Sequence, residues 1–201
     1  MSNNITLKSP GEVQVMRTAN EIVADTLNML AERISEGITT LELDKLAVKY
    51  SSKYGGTPAF KGYRGFPGSL CVSINEEVVH GIPSKSVIIK NGDIVSIDFG
   101  IKYKGYFGDA AVSLAVGKLN DARRKLVRVT RESLTLAIEK AVVGNRVSDI
   151  SKAVQDHAEN NGFSVVKQFV GHGIGAKLHE APEIPNYVRN GRSPRLMEGM
   201  V

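Results

Sequence analysis

Two aspartates are the strongest candidates for a chemical role in this 201-residue sequence. Asp98 and Asp109 each lie in a largely apolar stretch, and Gly105 between them suits a tight hairpin turn. A turn centred near Tyr103 and Lys104 would place the two carboxylates about opposite each other, where like charges repel. Burying two facing anions is costly unless a cation neutralises them, which favours a divalent metal site. The alternative is that one aspartate caps a turn and the other is a solvated edge residue.

Histidines supply the next candidates, because three of the four lie in distinctive settings. His80 precedes a Gly-Ile-Pro sequence, His172 lies between two glycines, and His179 is flanked by Leu and Glu. Glycines beside His172 remove side-chain bulk and let a metal or a substrate approach closely, although a structural glycine-rich turn would have the same composition. His157 lies in a polar helical segment and is expected to have only a structural role.

Composition limits the class of protein. No apolar run approaches membrane-spanning length, the N-terminus has no signal-peptide core, and Cys71 is the only cysteine, which together predict a cytosolic protein. The formal net charge of +5 is modest and scattered, without zinc-finger spacing, which argues against specific DNA binding. Weak attraction to a polyanion such as a ribosome stays open.

The elements that must position these residues follow from capping signals and periodicity. Ser9-Pro10-Gly11-Glu12 predicts the start of a long helix that ends near Gly37, and Thr39 to Glu42 start a second helix that stops at Gly55. Residues 69–74 predict a strand before the aspartate hairpin. Two further helices are expected, one from residue 120 or 121 to 143 and one over 148–160.

The two predicted helix pairs resemble each other at an offset of 107 residues. The matches are Gly37 with Gly144, Leu43 with Ile150, Lys45 with Lys152, Gly55 with Gly162 and Gly92 with Gly199. Chance is the alternative for such sparse matches. We expect one domain over residues 1–201, with internal halves of roughly 9–118 and 119–201.

Several motifs, in order along the chain, carry a resemblance to a known family. They are residues 75–83, Asp98-Phe99-Gly100, Gly108-Asp109-Ala110-Ala111, residues 171–175, and His179-Glu180-Ala181-Pro182. Together they resemble type I methionine aminopeptidase. The resemblance implies an α/β (α+β) pita-bread fold of two pseudo-symmetric halves, each a helix pair over an antiparallel sheet. It also implies metal-dependent removal of the N-terminal methionine from nascent proteins.

The same resemblance implies roles for individual residues. Asp98 would bind one divalent ion, Asp109 would bridge two, and His172 would bind the other, the metals being Co, Mn, Fe or Zn. His80 would contact the substrate backbone and His179 the carbonyl oxygen. Tyr63, Phe66, Cys71 and Leu178 match positions that line the methionine side-chain pocket, although Cys71 taken alone also suits a buried core position.

Family members continue beyond Gly199-Met200-Val201 into an Ile-Glu-Pro strand and a later Glu that supply two more metal ligands. We therefore expect that this sequence lacks its final C-terminal strands and that tight binding of two metals is impaired. An incomplete copy of an ordinary enzyme, a naturally shortened protein, and ligands from elsewhere are the three explanations.

Two other functions compete with this interpretation. One is a metal-deficient pita-bread module that binds peptides or ribosomes, and the other is a proline-directed peptidase that shares the metal architecture. Nascent polypeptide N-termini are the expected partners, together with the ribosome, and we expect a monomer without membrane or specific DNA binding.

Overall fold

The computed structural model describes residues 5–201, which form two compact units. The N-terminal unit comprises residues 14–120 with 176–178, and the C-terminal unit comprises residues 5–13, 121–175 and 179–201. Each unit carries its own helix pair and its own antiparallel strands.

Two helices, α1 (Pro10–Ala31) and α2 (Thr40–Ser52), precede the strands of the N-terminal unit. The predicted capping signals are confirmed. The Glu12 carboxylate accepts hydrogen bonds from the backbone N–H and the hydroxyl of Ser9, both at 2.7 Å, and Glu42 does the same for Thr39 at 2.8 and 2.7 Å. Helix α1 ends at Ala31, earlier than predicted. Residues 32–36 lie outside the helix, and the chain turns at Gly37, whose φ is +93°.

Four strands form the antiparallel sheet of the N-terminal unit: β1 (Thr57–Pro58), β2 (Leu70–Ile74), β3 (Ile94–Tyr103) and β4 (Tyr106–Ala115). Strand β3 is central, with β4 along one edge and β2 and β1 along the other. Alternate residues of β3 are fully buried and join the helices in one apolar core: Val95, Ile97, Phe99 and Ile101. The residues between them, including Asp98, therefore face the other side of the sheet.

The hairpin between β3 and β4 corrects the predicted register. Its two-residue loop is Lys104-Gly105, one position later than expected, and both residues have positive φ, +46° and +90°. Asp98 consequently pairs with Ala111, and Asp109 pairs with Gly100. The two aspartates are diagonal neighbours on one face of the sheet and not directly opposite each other.

In the C-terminal unit, helices α3 (Asp121–Lys140) and α4 (Val147–Asn160) pack together through small residues. Val129, Ser133 and Ala137 of α3 and Val147, Ser151 and Ala158 of α4 are the buried positions. Strands β5 (Gly171–Gly173) and β6 (Glu180–Ile184) pair antiparallel, with an irregularity between His172 and Gly173. Within residues 5–201 no helix has the length and apolarity that a bilayer span requires.

The predicted 107-residue repeat is visible in the hydrogen bonds of the two units. Gly37 N–H donates to the Ile89 carbonyl at 2.9 Å, and Gly144 N–H donates to the Leu196 carbonyl at 3.0 Å. The Ile89–Ile38 and Thr40–Val87 hydrogen bonds recur in the same way, as Leu196–Asn145 and Val147–Pro194. In these three hydrogen bonds, each donor and each acceptor of the C-terminal unit lies 107 positions after its counterpart. The repeat is therefore not a chance match of residue types.

Candidate functional site

The carboxylate pair, Asp98 and Asp109, lies on the face of the sheet that turns away from the apolar core. Both side chains are half-buried. Burial raises the pKa of Asp109 from 3.8 to about 6, and its hydrogen bond with Asp98 acts in the opposite direction. The pair therefore keeps a proton up to a higher pH than an exposed aspartic acid does.

Asn20 and Phe60 hold the backbone around this pair, and the sequence interpretation did not single them out. The amide oxygen of Asn20, on α1, accepts a hydrogen bond from the Asp109 N–H at 3.2 Å. The ring of Phe60 packs against Gly100, the partner of Asp109, so closely that a Cβ there would lie 2.6 Å from a ring carbon. Neither residue carries a local sequence signal, because each acts on a segment distant in the chain.

Cys71 lies beside the carboxylate pair, since it pairs with Asp98 across β2 and β3. Its side chain is 4% exposed. Burial raises the pKa of the thiol to about 12, with further contributions from the charges of Asp98, Asp109 and Asp44. The thiol therefore stays protonated and behaves as a small apolar group, which excludes a nucleophilic role.

Asp44 is a third residue that sequence reasoning missed. Its carboxylate, on α2, accepts hydrogen bonds from the backbone N–H groups of Ser69 at 2.6 Å and Leu70 at 2.9 Å. These are the two residues before Cys71, so helix α2 fixes the start of the strand that carries the thiol.

Tyr63 and Phe66 lie in a tight turn that follows Phe60. The turn is closed by hydrogen bonds from Tyr63 N–H to the Phe60 carbonyl at 2.9 Å and from Gly62 N–H to the Phe66 carbonyl at 2.8 Å. Both side chains are half-buried, and the guanidinium of Arg64 lies 5.5 Å from the centre of the Tyr63 ring. Leu178 also belongs to the N-terminal unit and is 3% exposed.

His80 projects from a loop beside β2. Its side chain is exposed and its φ is +62°, a left-handed conformation that is uncommon for residues other than glycine. Gly81 fixes this position, because its N–H donates to the Ser73 hydroxyl at 3.1 Å and its carbonyl accepts from Val72 N–H at 2.9 Å. A Cβ on Gly81 would lie 2.1 Å from the Val72 carbonyl oxygen, so only glycine lets the loop approach the strand this closely.

The histidine pair, His172 and His179, belongs to the C-terminal unit. Their ring centroids are 4.1 Å apart with an interplanar angle of 37°. His172 is half-buried on β5, and its Nδ1 lies 3.0 Å from the Gly173 carbonyl oxygen. An Nδ1–H that donates to this carbonyl leaves the lone pair of the neutral ring on Nε2, which is the tautomer suited to metal ligation through Nε2. His179 is exposed immediately before β6.

His157, the histidine expected to have only a structural role, makes a contact between two helices. Its Nε2 lies 2.9 Å from a carboxylate oxygen of Glu132, so it links α4 to α3.

The candidate residues thus form two groups. The N-terminal unit carries the carboxylate pair, Cys71, Tyr63, Phe66, His80 and Leu178, and the C-terminal unit carries the histidine pair. Among residues 5–201, no three His, Cys, Asp or Glu side chains form a cluster that could hold a metal ion. Carboxylate oxygens and imidazole nitrogens are nevertheless the donors that divalent Mn, Fe, Co and Zn accept.

Comparison with known proteins gives a consistent result. Residues 14–201 match the model of metallopeptidase family M24. A methionine aminopeptidase from Clostridium acetobutylicum is 51% identical over 197 residues, a match that covers 98% of this chain and 79% of the relative. A crystal structure of methionine aminopeptidase from Thermotoga maritima is similar with a TM-score of 0.94 and 44% identity, covering 98% and 79% of the two chains. A prolidase from Pyrococcus furiosus is similar with a TM-score of 0.83 and 25% identity, covering 96% of this chain and 55% of the prolidase.

Proposed function

The chain belongs to metallopeptidase family M24, among its methionine aminopeptidases, and from this premise we propose which residues carry the reaction. The fold is the pita-bread fold of that family. The activity is metal-dependent hydrolysis of the peptide bond that follows an N-terminal methionine, and the substrates are the N-termini of nascent chains.

We propose that Asp98, Asp109 and His172 bind the divalent ions. By this assignment Asp98, Asp109 and His172 would each supply a ligand to the ions. The half-buried carboxylate pair supports this assignment, because burial raises the pKa of Asp109 and a divalent cation would offset the cost of holding both carboxylates charged. Bound metal ions polarise a scissile carbonyl and lower the pKa of a coordinated water towards neutrality. The oxygen and nitrogen donors fit Mn, Co, Fe or Zn.

His80 and His179 act on the substrate. An exposed imidazole of His179 beside His172 can donate a hydrogen bond to the carbonyl oxygen, on which negative charge develops as the bond is attacked. His80 contacts the substrate backbone, and the close packing of Gly81 against β2 supports a fixed backbone position for it.

Tyr63, Phe66, Cys71 and Leu178 line the pocket for the methionine side chain. Aromatic rings and a protonated thiol are polarisable, weakly polar surfaces that suit a thioether. The raised pKa of Cys71 supports this role, because a thiolate would bring a third negative charge beside Asp98 and Asp109.

Residues 1–201 form the catalytic domain, with the two helix-and-strand units as its repeated halves. We place the protein in the cytoplasm, where it meets nascent chains, as a monomer that the net charge of +5 draws weakly to the ribosome. Sedimentation of the free chain, and its salt-dependent cosedimentation with ribosomes, test these two assignments.

One observation carries the residue assignments: the half-buried carboxylate pair, in which the pKa of Asp109 is raised to about 6, beside a protonated cysteine. The test is methionine release from a Met-Ala-Ser peptide after EDTA treatment and titration with Mn²⁺ or Co²⁺. The 201-residue chain and a form extended by the part of the C. acetobutylicum relative outside the match are both assayed. Metal-dependent release that Asp98→Ala and His172→Ala abolish supports the proposal, and unchanged release in either variant overturns those roles.

Likeness to a prolidase in fold gives a second candidate, a peptidase specific for Xaa-Pro dipeptides. Tyr63, Phe66 and Cys71 favour methionine instead. Faster hydrolysis of an Xaa-Pro dipeptide than of Met-Ala-Ser would replace the first candidate with the second. Peptide binding without hydrolysis of either substrate would indicate a metal-deficient binding module.

A further inference from the structure

Lys8 is a buried lysine in the C-terminal unit that the reaction described above does not use. Its side chain is 3% exposed. The ammonium lies 2.5 Å from the Glu180 carboxylate, whose side chain is 11% exposed, and it also donates to the Thr6 carbonyl at 2.9 Å. A buried ammonium needs such partners, because an unpaired charge in this position would strongly favour unfolding.

Glu180 connects this ion pair to both histidines of the C-terminal unit. It follows His179 in the chain and is the first residue of β6. Across the sheet it pairs with Gly173, which follows His172. Lys8 therefore pairs with the residue at which β6, directly after His179, meets β5, which carries His172.

The connecting loop packs directly on the ion pair. A Cβ on Gly175 would lie 2.4 Å from Cε of Lys8 and 2.7 Å from a carboxylate oxygen of Glu180, so only glycine fits there. Two further backbone contacts close the arrangement: Lys8 N–H donates to the Gly199 carbonyl at 2.7 Å, and Ile174 N–H donates to the Val201 carbonyl at 3.0 Å. Three segments distant in the chain, residues 6–8, 173–180 and 199–201, thus meet around this ion pair.

We propose that Lys8 and Glu180 are positioning residues that hold the imidazoles of His172 and His179 in their mutual orientation. The proposal rests on the proposed function for its catalytic consequence. Its geometric part concerns only the C-terminal unit. The ion pair fixes Glu180 where it pairs with Gly173, and the 4.1 Å separation of the two rings depends on that pairing of β6 with β5.

The test uses Lys8→Met, which keeps the length of the side chain and removes its charge. Histidine ring resonances are measured by NMR on the metal-free chain, in which only four histidines need assignment. We expect the resonances of His172 and His179 to shift or broaden while those of His80 and His157 stay unchanged. In the active form, kcat for methionine release falls by about 10- to 100-fold, the usual effect of losing an outer partner of a metal site, and KM changes far less. Lys8→Arg, which keeps the charge, recovers most of the loss.

Lys152→Met is the matched control. Lys152 also pairs with an acidic residue of the C-terminal unit, Asp156, at 2.8 Å, but both side chains are more than half exposed. This control leaves the histidine resonances and kcat unchanged. If Lys8→Met does not fold, Glu180→Gln, which preserves the shape of the side chain, carries the same test.

The two levels of the proposal fail separately. A folded Lys8→Met or Glu180→Gln variant with unchanged His172 and His179 resonances and unchanged kcat overturns the positioning role. Absence of metal-dependent methionine release from the unsubstituted protein overturns the proposed function, while the NMR result still decides whether Lys8 orients the histidines.

Discussion

Asp109 is the residue whose chemistry depends most on its surroundings, because its folded-state pKa is raised by burial. A carboxyl group with a raised pKa is destabilising in its charged form, so its penalty is absent below pH 3.8 and complete above about pH 6. We predict that the metal-free chain loses roughly 1–3 kcal/mol of stability between pH 4 and pH 7 through this group. Urea unfolding of the EDTA-treated chain at several pH values measures the loss.

Asp109→Asn mimics the protonated form and should remove that pH dependence. The variant is expected to be more stable than the unsubstituted chain at pH 7 without metal, and to lose metal-dependent activity. Asp156→Asn, at a half-exposed position, is the control and leaves the pH dependence intact. If the stability of Asp109→Asn depends on pH in the same way as that of the unsubstituted chain, another group is responsible for the pH dependence.

Cys71 gives a prediction that needs no metal. With a pKa of about 12 in place of 9.0, its thiolate fraction at pH 8 is about 1,000-fold lower than that of an ordinary thiol. Native chain should therefore react with a disulfide reagent about 1,000-fold more slowly than chain unfolded in urea. Equal rates in the two states would show that the thiol is neither buried nor perturbed.

The sequence indicates candidate site residues only where they belong to local motifs, and it gives no signal for the residues that support them. Asp98, Asp109 and the three histidines stand beside glycines, prolines or apolar runs that can be read in the sequence. Lys8, Asn20 and Asp44 act on Glu180, Asp109 and Ser69, which are 172, 89 and 25 positions away. A single sequence carries no signal for such pairs, because nothing around either partner indicates the other.

Among the elements, the aspartate hairpin shows what a one-residue error in a turn does. The sequence predicted both strands and the glycine, but the loop is Lys104-Gly105, the two-residue turn with positive φ at both positions. Moving the turn centre by one residue moves every cross-strand partner by two, so Asp98 faces Ala111 and not Asp109. The two aspartates still share a face, because a shift of two preserves the alternation of the strand.

Substitutions of Lys104 should change the free energy of unfolding according to how well the new residue tolerates the left-handed backbone conformation. Lys104→Asn and Lys104→Val both remove the ammonium that lies 5.2 Å from the Tyr103 ring, so that contribution cancels between them. Asparagine tolerates the left-handed region and valine does not. We predict that Lys104→Asn is about 1–2 kcal/mol more stable than Lys104→Val in urea unfolding. Equal stabilities would mean that the turn relaxes to another conformation.

At the scale of the whole molecule, the repeat is detectable in the sequence because its glycines occupy positions where the backbone has a positive φ. Gly37 and Gly144 have φ of +93° and +97°, Gly55 and Gly162 +79° and +82°, and Gly92 and Gly199 +89° and +84°. A side chain would strain each of these positions, so the glycines are retained while most apolar positions around them differ. The hydrogen bonds that recur at the same offset could not be predicted from the residue types alone.

The two units should nevertheless differ in local stability. Of the twelve largest fully buried side chains among residues 5–201, only Val129 belongs to the C-terminal unit, whereas the N-terminal unit buries Phe99, Met16 and Leu30 among others. Four of the six buried positions of α3 and α4 are serine or alanine, which bury little apolar area and therefore contribute less free energy per residue. We predict that the amides of α3 and α4 exchange with deuterium sooner than those of β2 and β3. Equal protection in the two units would show that they open only together, in one cooperative unfolding transition.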